Sequence, residues 1–182
     1  MSATPCFRRL AASHLPQARR AALGLLVALA CSRAGAVDVS GVYADAGTSI
    51  SAASDQAAGQ VSLEGLFRLE FDATLARARY SQTAQAVVVQ TASAFKVWSR
   101  DADGGTTWSG RWAEGQGYAR MDGCVDLRLR AQRFGYDEFV FHLSTVGDGT
   151  LLLVEVLRVT PTLIGPSIKP VGEYLFPRLP AK

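Results

Sequence analysis

Beyond residue 37, apolar side chains return at every second position rather than every third or fourth. Phe67, Leu69 and Phe71 alternate with Arg68, Glu70 and Asp72. Val125, Leu127 and Leu129 alternate in the same way with Asp126, Arg128 and Arg130. Successive side chains of a strand point to opposite faces, so this pattern puts one face in a core and the other in water. Val87-Val88-Val89 and residues 151–159 are denser runs and predict strands buried more fully. Turn signals punctuate the runs at 101–105, 115–117, 122–123 and 147–149. Asp122-Gly123 is the strongest of them, because both central positions of a tight hairpin turn want positive φ.

Strands read between these turns fall near 39–44, 61–71, 74–80, 86–91, 94–99, 106–112, 117–121, 124–130, 138–146 and 150–159, with a short last one at 172–176. Links of hairpin length at this spacing predict an all-β antiparallel meander, either a small barrel or a sandwich. Residues 45–60 are rich in Gly, Ser and Ala and fit a loop, a short helix or a flat strand. The C-terminal segment 160–182 is Pro-rich at its start. Pro161, Pro166 and Pro170 remove ladder donors, so residues 160–172 are expected to cross the surface and return Tyr174 and Phe176 to the sheet. Residues 37–182 read as one domain.

Charge separates the chain into two parts. Five of the 19 Lys and Arg (Arg8, Arg9, Arg19, Arg20, Arg33) and none of the 16 Asp and Glu precede residue 37. The formal charge of +3 therefore belongs to the leader, and the remainder carries 14 basic against 16 acidic residues. A net of −2 argues against nucleic acid, and Arg128, Arg130 and Arg133 read as a solvated face.

Residues 1–36 have the build of a secretory signal peptide: arginine pairs, an apolar run at 21–30, and Ala34-Gly35-Ala36 as cleavage site. Ten apolar residues fall short of the roughly 20 that cross a bilayer as a helix, and no later run is long enough for a transmembrane helix. The expected location is periplasmic or secreted. A rival reading starts from Ala28-Leu29-Ala30-Cys31, which resembles a bacterial lipobox and implies a membrane-anchored lipoprotein acylated at Cys31. Cleavage after Ala36 would leave Cys124 as the one cysteine, read as a small buried hydrophobe without an internal disulfide.

Candidate chemistry is sparse. Asp101-Ala102-Asp103-Gly104-Gly105-Thr106-Thr107-Trp108 resembles the Asp-box turn of sialidase-type β-propellers, matching at Asp103, Gly105, Thr107 and Trp108. In that family the box is structural, so the resemblance implies a turn and no activity. About 146 residues with a single box do not make a propeller. Gly41-Val42-Tyr43 is similar to the opening strand of lipocalins, with Tyr in place of Trp, which favours a small barrel. His142 shares a strand face with Glu138 and Ser144, but same-face neighbours stand about 6.5 Å apart, beyond proton-transfer reach. One such His and no paired-ligand spacing imply no metal site, no cofactor and no catalytic residues.

Trp98, Trp108 and Trp112 offer a possible aromatic contact surface. Small residues expected on inward faces (Ala76, Ala78, Ala92, Ala94) would leave room for a ligand. The resulting expectation is a non-enzymatic binding protein of the bacterial envelope that takes an apolar small molecule or lipid, or a protein partner. Its alternative is an envelope interaction or inhibitor protein with no ligand cavity.

Overall fold

The computed structural model describes residues 37–52, 60–71, 80, 82–130 and 134–180. The chain opens with β1 (Gly41–Ala44), β2 (Ala46–Ala52), β3 (Gln60–Ser62) and a short helix, α1 (Leu63–Phe67). β4 (Thr83–Gln90), β5 (Ala94–Asp101), β6 (Thr106–Glu114) and β7 (Gly117–Met121) follow. The remaining strands are β8 (Cys124–Arg130), β9 (Glu138–Val146), β10 (Leu151–Thr162) and β11 (Gly165–Pro177). Together they make one all-β domain, an 11-stranded, mostly antiparallel sheet curled into a half-barrel, in the order β1-β4-β5-β6-β7-β8-β9-β10-β11-β2-β3. The described strands form one sheet and not two, which sets the sandwich alternative aside.

The inward positions follow the alternation of the sequence. Phe95 and Val97 on β5, Val125, Leu127 and Leu129 on β8, and Phe139, Phe141 and Leu143 on β9 are buried in one core. Leu152, Val154 and Val156 on β10 and Tyr174 and Phe176 on β11 continue it. β4 to β6 and β7 to β11 are meanders of neighbours. β6 and β7 meet through only two parallel residue pairs across the turn at Gly115, where φ is +73°.

β1 and β2 are two halves of one extended run, broken at Asp45. β1 pairs with β4, whereas β2 pairs with β11 and β3. The first strand thus touches both flanks of the sheet. Tyr43 forms an isolated antiparallel bridge with Arg178, and Leu179 N–H donates to the Val42 carbonyl at 2.7 Å. The Arg178 guanidinium donates to the carbonyls of Ser40 and Gly149 and lies 5.8 Å from the Tyr43 ring centre.

Two expectations are corrected. Residues 61–71 are not one strand: three residues of β3 give way to α1 and a turn. Leu63, Leu66 and Phe67 sit at i, i+3 and i+4, which is a helical stripe. Ser62 caps it by accepting the Gly65 N–H at 3.0 Å, and Leu69 ends it at a φ of 63°. The alternation of Phe67, Leu69 and Phe71 masks that stripe.

The Pro-rich segment is also different from expectation. β10 and β11 are long strands whose hairpin runs on to a two-residue turn, with Pro161 opposite Pro166. β9 stops pairing with β10 at Val159 and β2 reaches β11 only as far as Gly172. The prolines therefore lie in an arm with no outer neighbours among the described strands, where a missing N–H disrupts no described ladder. Tyr174 and Phe176 do return to the sheet, opposite Val154 and Leu152. Within or bordering the Gly-, Ser- and Ala-rich stretch, residues 46–52 and 60–62 form β2 and β3. The expected strand at 74–80 and the leader 1–36, with Cys31, lie outside the described residues apart from Tyr80.

Candidate functional site

α1 lies against the concave face of the sheet, and all five of its residues are buried. Polar contacts fix it there. The Asp45 carboxylate accepts the Glu64 N–H at 2.8 Å, and the Asp45 carbonyl accepts the Leu63 N–H at 2.9 Å. Glu64 Oε2 accepts from the hydroxyls of Thr83 at 2.8 Å and Thr107 at 3.0 Å, so the helix is tied to β4 and β6. Burial is the largest influence on Asp45 and pushes its carboxyl up to about 6, against the lowering effect of the donors around it.

So held, α1 places Phe67 at the centre of an aromatic group. Its ring stacks on Trp108 (centroids 6.3 Å, interplanar angle 15°) and on Phe141 (5.9 Å, 14°). Trp112 lies 5.8 Å away and Phe95 6.4 Å. Trp108 and Trp112 are two positions away on either side of Gly110, with centroids 6.4 Å apart. A Cβ on Gly110 would come within 2.5 Å of the Trp112 ring and 2.7 Å of the Trp108 ring. Glycine is what lets the two indoles close over the strand.

A second group joins Phe71, Phe134 and Phe139, the last lying 4.9 Å from each of the other two. Trp108, Trp112, Phe71 and Phe134 are only partly buried against the closed core. Ser99 faces the same interior, in register with Ala86 and Trp108. Its hydroxyl is fully buried and has no hydrogen-bond partner among the described residues. The concave face therefore combines half-exposed rings with an unsatisfied polar group, the makeup of an apolar binding surface with one polar handle.

The residues singled out in sequence are distributed unevenly. Trp108 and Trp112 come together as expected of a shared face, but Trp98 does not join them. It alternates with the inward-facing Val97 and Ser99 and stands on the convex side. In the 101–105 turn, Asp101 is the carboxylate that accepts the Gly105 N–H, at 2.7 Å, while Asp103 is exposed. Positive φ falls at Gly104, +87°. Thr107 points to Glu64, and Trp108 to Phe67, so both belong to the helix contact. Ala94 is buried at the head of β5, Ala92 lies exposed in the preceding turn, and Ala76 and Ala78 are outside the described residues.

On the convex side, register aligns Asp126, His142, Glu155 and Glu173 on four neighbouring strands. His142 Nδ1 is 2.6 Å from Asp126 Oδ1. Burial alone would lower the His142 pKa, but the Asp126 hydrogen bond and charge, with Glu155 beyond, raise it overall. Burial raises that of Glu155, opposed by His142. Glu138 is turned to Arg130 and Arg128, at 3.1 and 3.5 Å, and takes no part with His142.

Cys124 Sγ, Asp126 and His142 bring potential ligand atoms within 4.8 Å of one another. Cys124 is disulfide-bonded, however, and such a sulfur offers no thiolate to a metal. The lone thiol expected of Cys124 belongs to the chain after cleavage, from which Cys6 and Cys31 are gone; both lie outside the described residues. Among the described residues no helix is long and apolar enough to cross a membrane.

The aromatic helix contact is hidden in the sequence because Phe67 reads as a strand residue. Asp126 is hidden as a partner because only register puts it opposite His142. Comparison with protein families, curated proteins and solved structures finds no match.

Proposed function

We propose that this is an exported, non-enzymatic β-domain of the bacterial envelope that holds an apolar small molecule or lipid against its concave face. The observation that carries the reading is the set of half-buried rings, Trp108, Trp112, Phe71 and Phe134, which continue the closed core without being closed over themselves. A partly open aromatic wall loses little conformational entropy when it takes up an apolar ligand. The Ser99 hydroxyl, without a partner among the described residues, is the group that would hydrogen-bond a ligand polar atom. The Tyr43–Arg178 bridge supports a small barrel closed through the first strand, as the lipocalin-like opening Gly41-Val42-Tyr43 suggests. Charged leader, short apolar run and Ala34-Gly35-Ala36 support a periplasmic or secreted location, with lipid anchoring at Cys31 as the rival route.

The filled position of α1 on the concave face favours the second reading, an envelope interaction or inhibitor protein with no cavity. Native mass spectrometry of protein purified from the periplasm separates the two. A co-purified lipid or apolar molecule, lost in Trp112→Ala, is the expected result. A bare mass together with a stable protein complex on pull-down would replace the first reading by the second.

A further inference from the structure

The arm formed by the ends of β10 and β11 carries an apolar tip. Thr162 pairs with Gly165, so Leu163 and Ile164 are the two turn residues. Neither residue has positive φ; Gly165, at +121°, takes the position that needs glycine, so the turn accepts most side chains at its two central positions and does not itself call for aliphatic ones. Here both side chains are aliphatic and fully exposed, at 107% and 100%. Adjacent aliphatic side chains held wholly in water add nothing to the packing of the sheet, and such exposure marks a site of contact with something else. From Val159, the last residue of β10 paired with β9, to Leu163 the arm projects about 13 Å at ~3.3 Å per residue.

The surroundings specify the partner. No acidic residue occurs between Glu155 and Glu173. Lys169 stands opposite Arg158 across the arm, and Arg128 and Arg130 lie at the same end of the sheet, 60% and 74% exposed in their side chains. Against these four cations stand Asp137, bonded to Arg158 at 2.6 Å, and Glu138, so among the described residues the arm's base is net positive. Tyr136, 90% exposed, is beside that base. Pro161, Pro166 and Pro170 remove backbone donors from edges that no described strand pairs with. That lowers the cost of entering a water-poor layer and hinders strand addition by another protein.

We propose that the Leu163–Ile164 tip inserts into the surface of an anionic lipid bilayer, with the basic residues at its base against the headgroups. Aliphatic insertion of about 5–10 Å backed by cations is the known physics of interfacial anchoring. Membrane contact of this kind is independent of the ligand reading, because the arm and the aromatic wall share no residue.

The test uses the full chain, so that any contribution of the leader is common to all variants. It is mixed with vesicles of phosphatidylglycerol and phosphatidylethanolamine, and in parallel with phosphatidylcholine alone. Binding to the anionic vesicles is expected to weaken at least tenfold in Leu163→Ser/Ile164→Ser, and to fall with salt and in Lys169→Glu. Ile164→Trp, compared with the unchanged chain, should add a blue-shifted emission that brominated lipid quenches, a readout that stands even where the leader dominates sedimentation. Unchanged vesicle binding in the double variant, together with an introduced indole that brominated lipid leaves unquenched, would overturn the proposal. So would loss of a dimer, or of a protein complex, in the double variant with vesicle binding intact.

Discussion

Asp45 accepts the backbone N–H of Glu64 at 2.8 Å, although nineteen residues separate them. The contact joins the break between β1 and β2 to the first turn of α1, and through Glu64 to Thr83 and Thr107. A buried carboxylate thus serves as an end cap for a helix too short to stand alone.

Its burial carries a pH signature. With the Asp45 carboxyl raised from 3.8 to about 6, the folded state holds the proton more tightly than the unfolded chain. Stability from this residue is full below pH 4 and declines as pH rises through 6, by up to about 3 kcal/mol. Asp45→Asn keeps an acceptor for the Glu64 N–H and cannot ionise. Urea unfolding should show the variant gaining on the unchanged chain between pH 4 and pH 7.5. A difference that stays constant over that range would refute the assignment.

His142 titrates with the same sign for a different reason. Its raised pKa means that the Asp126 contact stabilises the fold below the ordinary histidine range and is lost as pH climbs through the raised value. Exchange to Gln should therefore cost stability in mildly acidic solution and cost little in alkaline solution. A proton NMR titration of His142 should give a value above 6.5, and one below it would contradict the pairing.

Gly110 lies between the two indoles. Gly110→Ala places a methyl group where ring atoms already lie 2.5 and 2.7 Å away, so Trp112 or Trp108 has to turn aside. The expected cost is about 1–3 kcal/mol, with a changed near-ultraviolet circular dichroism spectrum in the tryptophan bands. An unaltered spectrum would mean that the pair does not close over the strand.

Phe67→Ala removes the ring shared by Trp108, Trp112, Phe95 and Phe141. Denaturant unfolding should register a loss of about 3–5 kcal/mol. An apolar fluorescent probe should also bind differently, because the ring forms part of the proposed wall. A loss under about 1 kcal/mol would show that α1 is not packed as described.

The sheet is legible in the sequence because its determinants are local. Val125, Leu127 and Leu129 announce their face by alternation alone, as do Phe139, Phe141 and Leu143. α1 is not, since five residues provide barely more than one turn of periodicity, and its fastening comes from Asp45, far away in sequence. The arm departs from expectation because proline does not exclude pairing as such; it excludes only an outer neighbour. For the candidate site, Trp108 and Trp112 can be placed together by parity. Phe67, Ser99 and the Asp126–His142 contact depend on which strands become neighbours, and no spacing encodes that.

The bridge between Tyr43 and Arg178 has a kinetic consequence. Residues 135 positions apart must meet before the first strand has both of its neighbours, and closing so long a loop is slow. Removing residues 178–182 should therefore loosen the beginning of the chain, where Tyr43 and Val42 lose their partners, rather than its end.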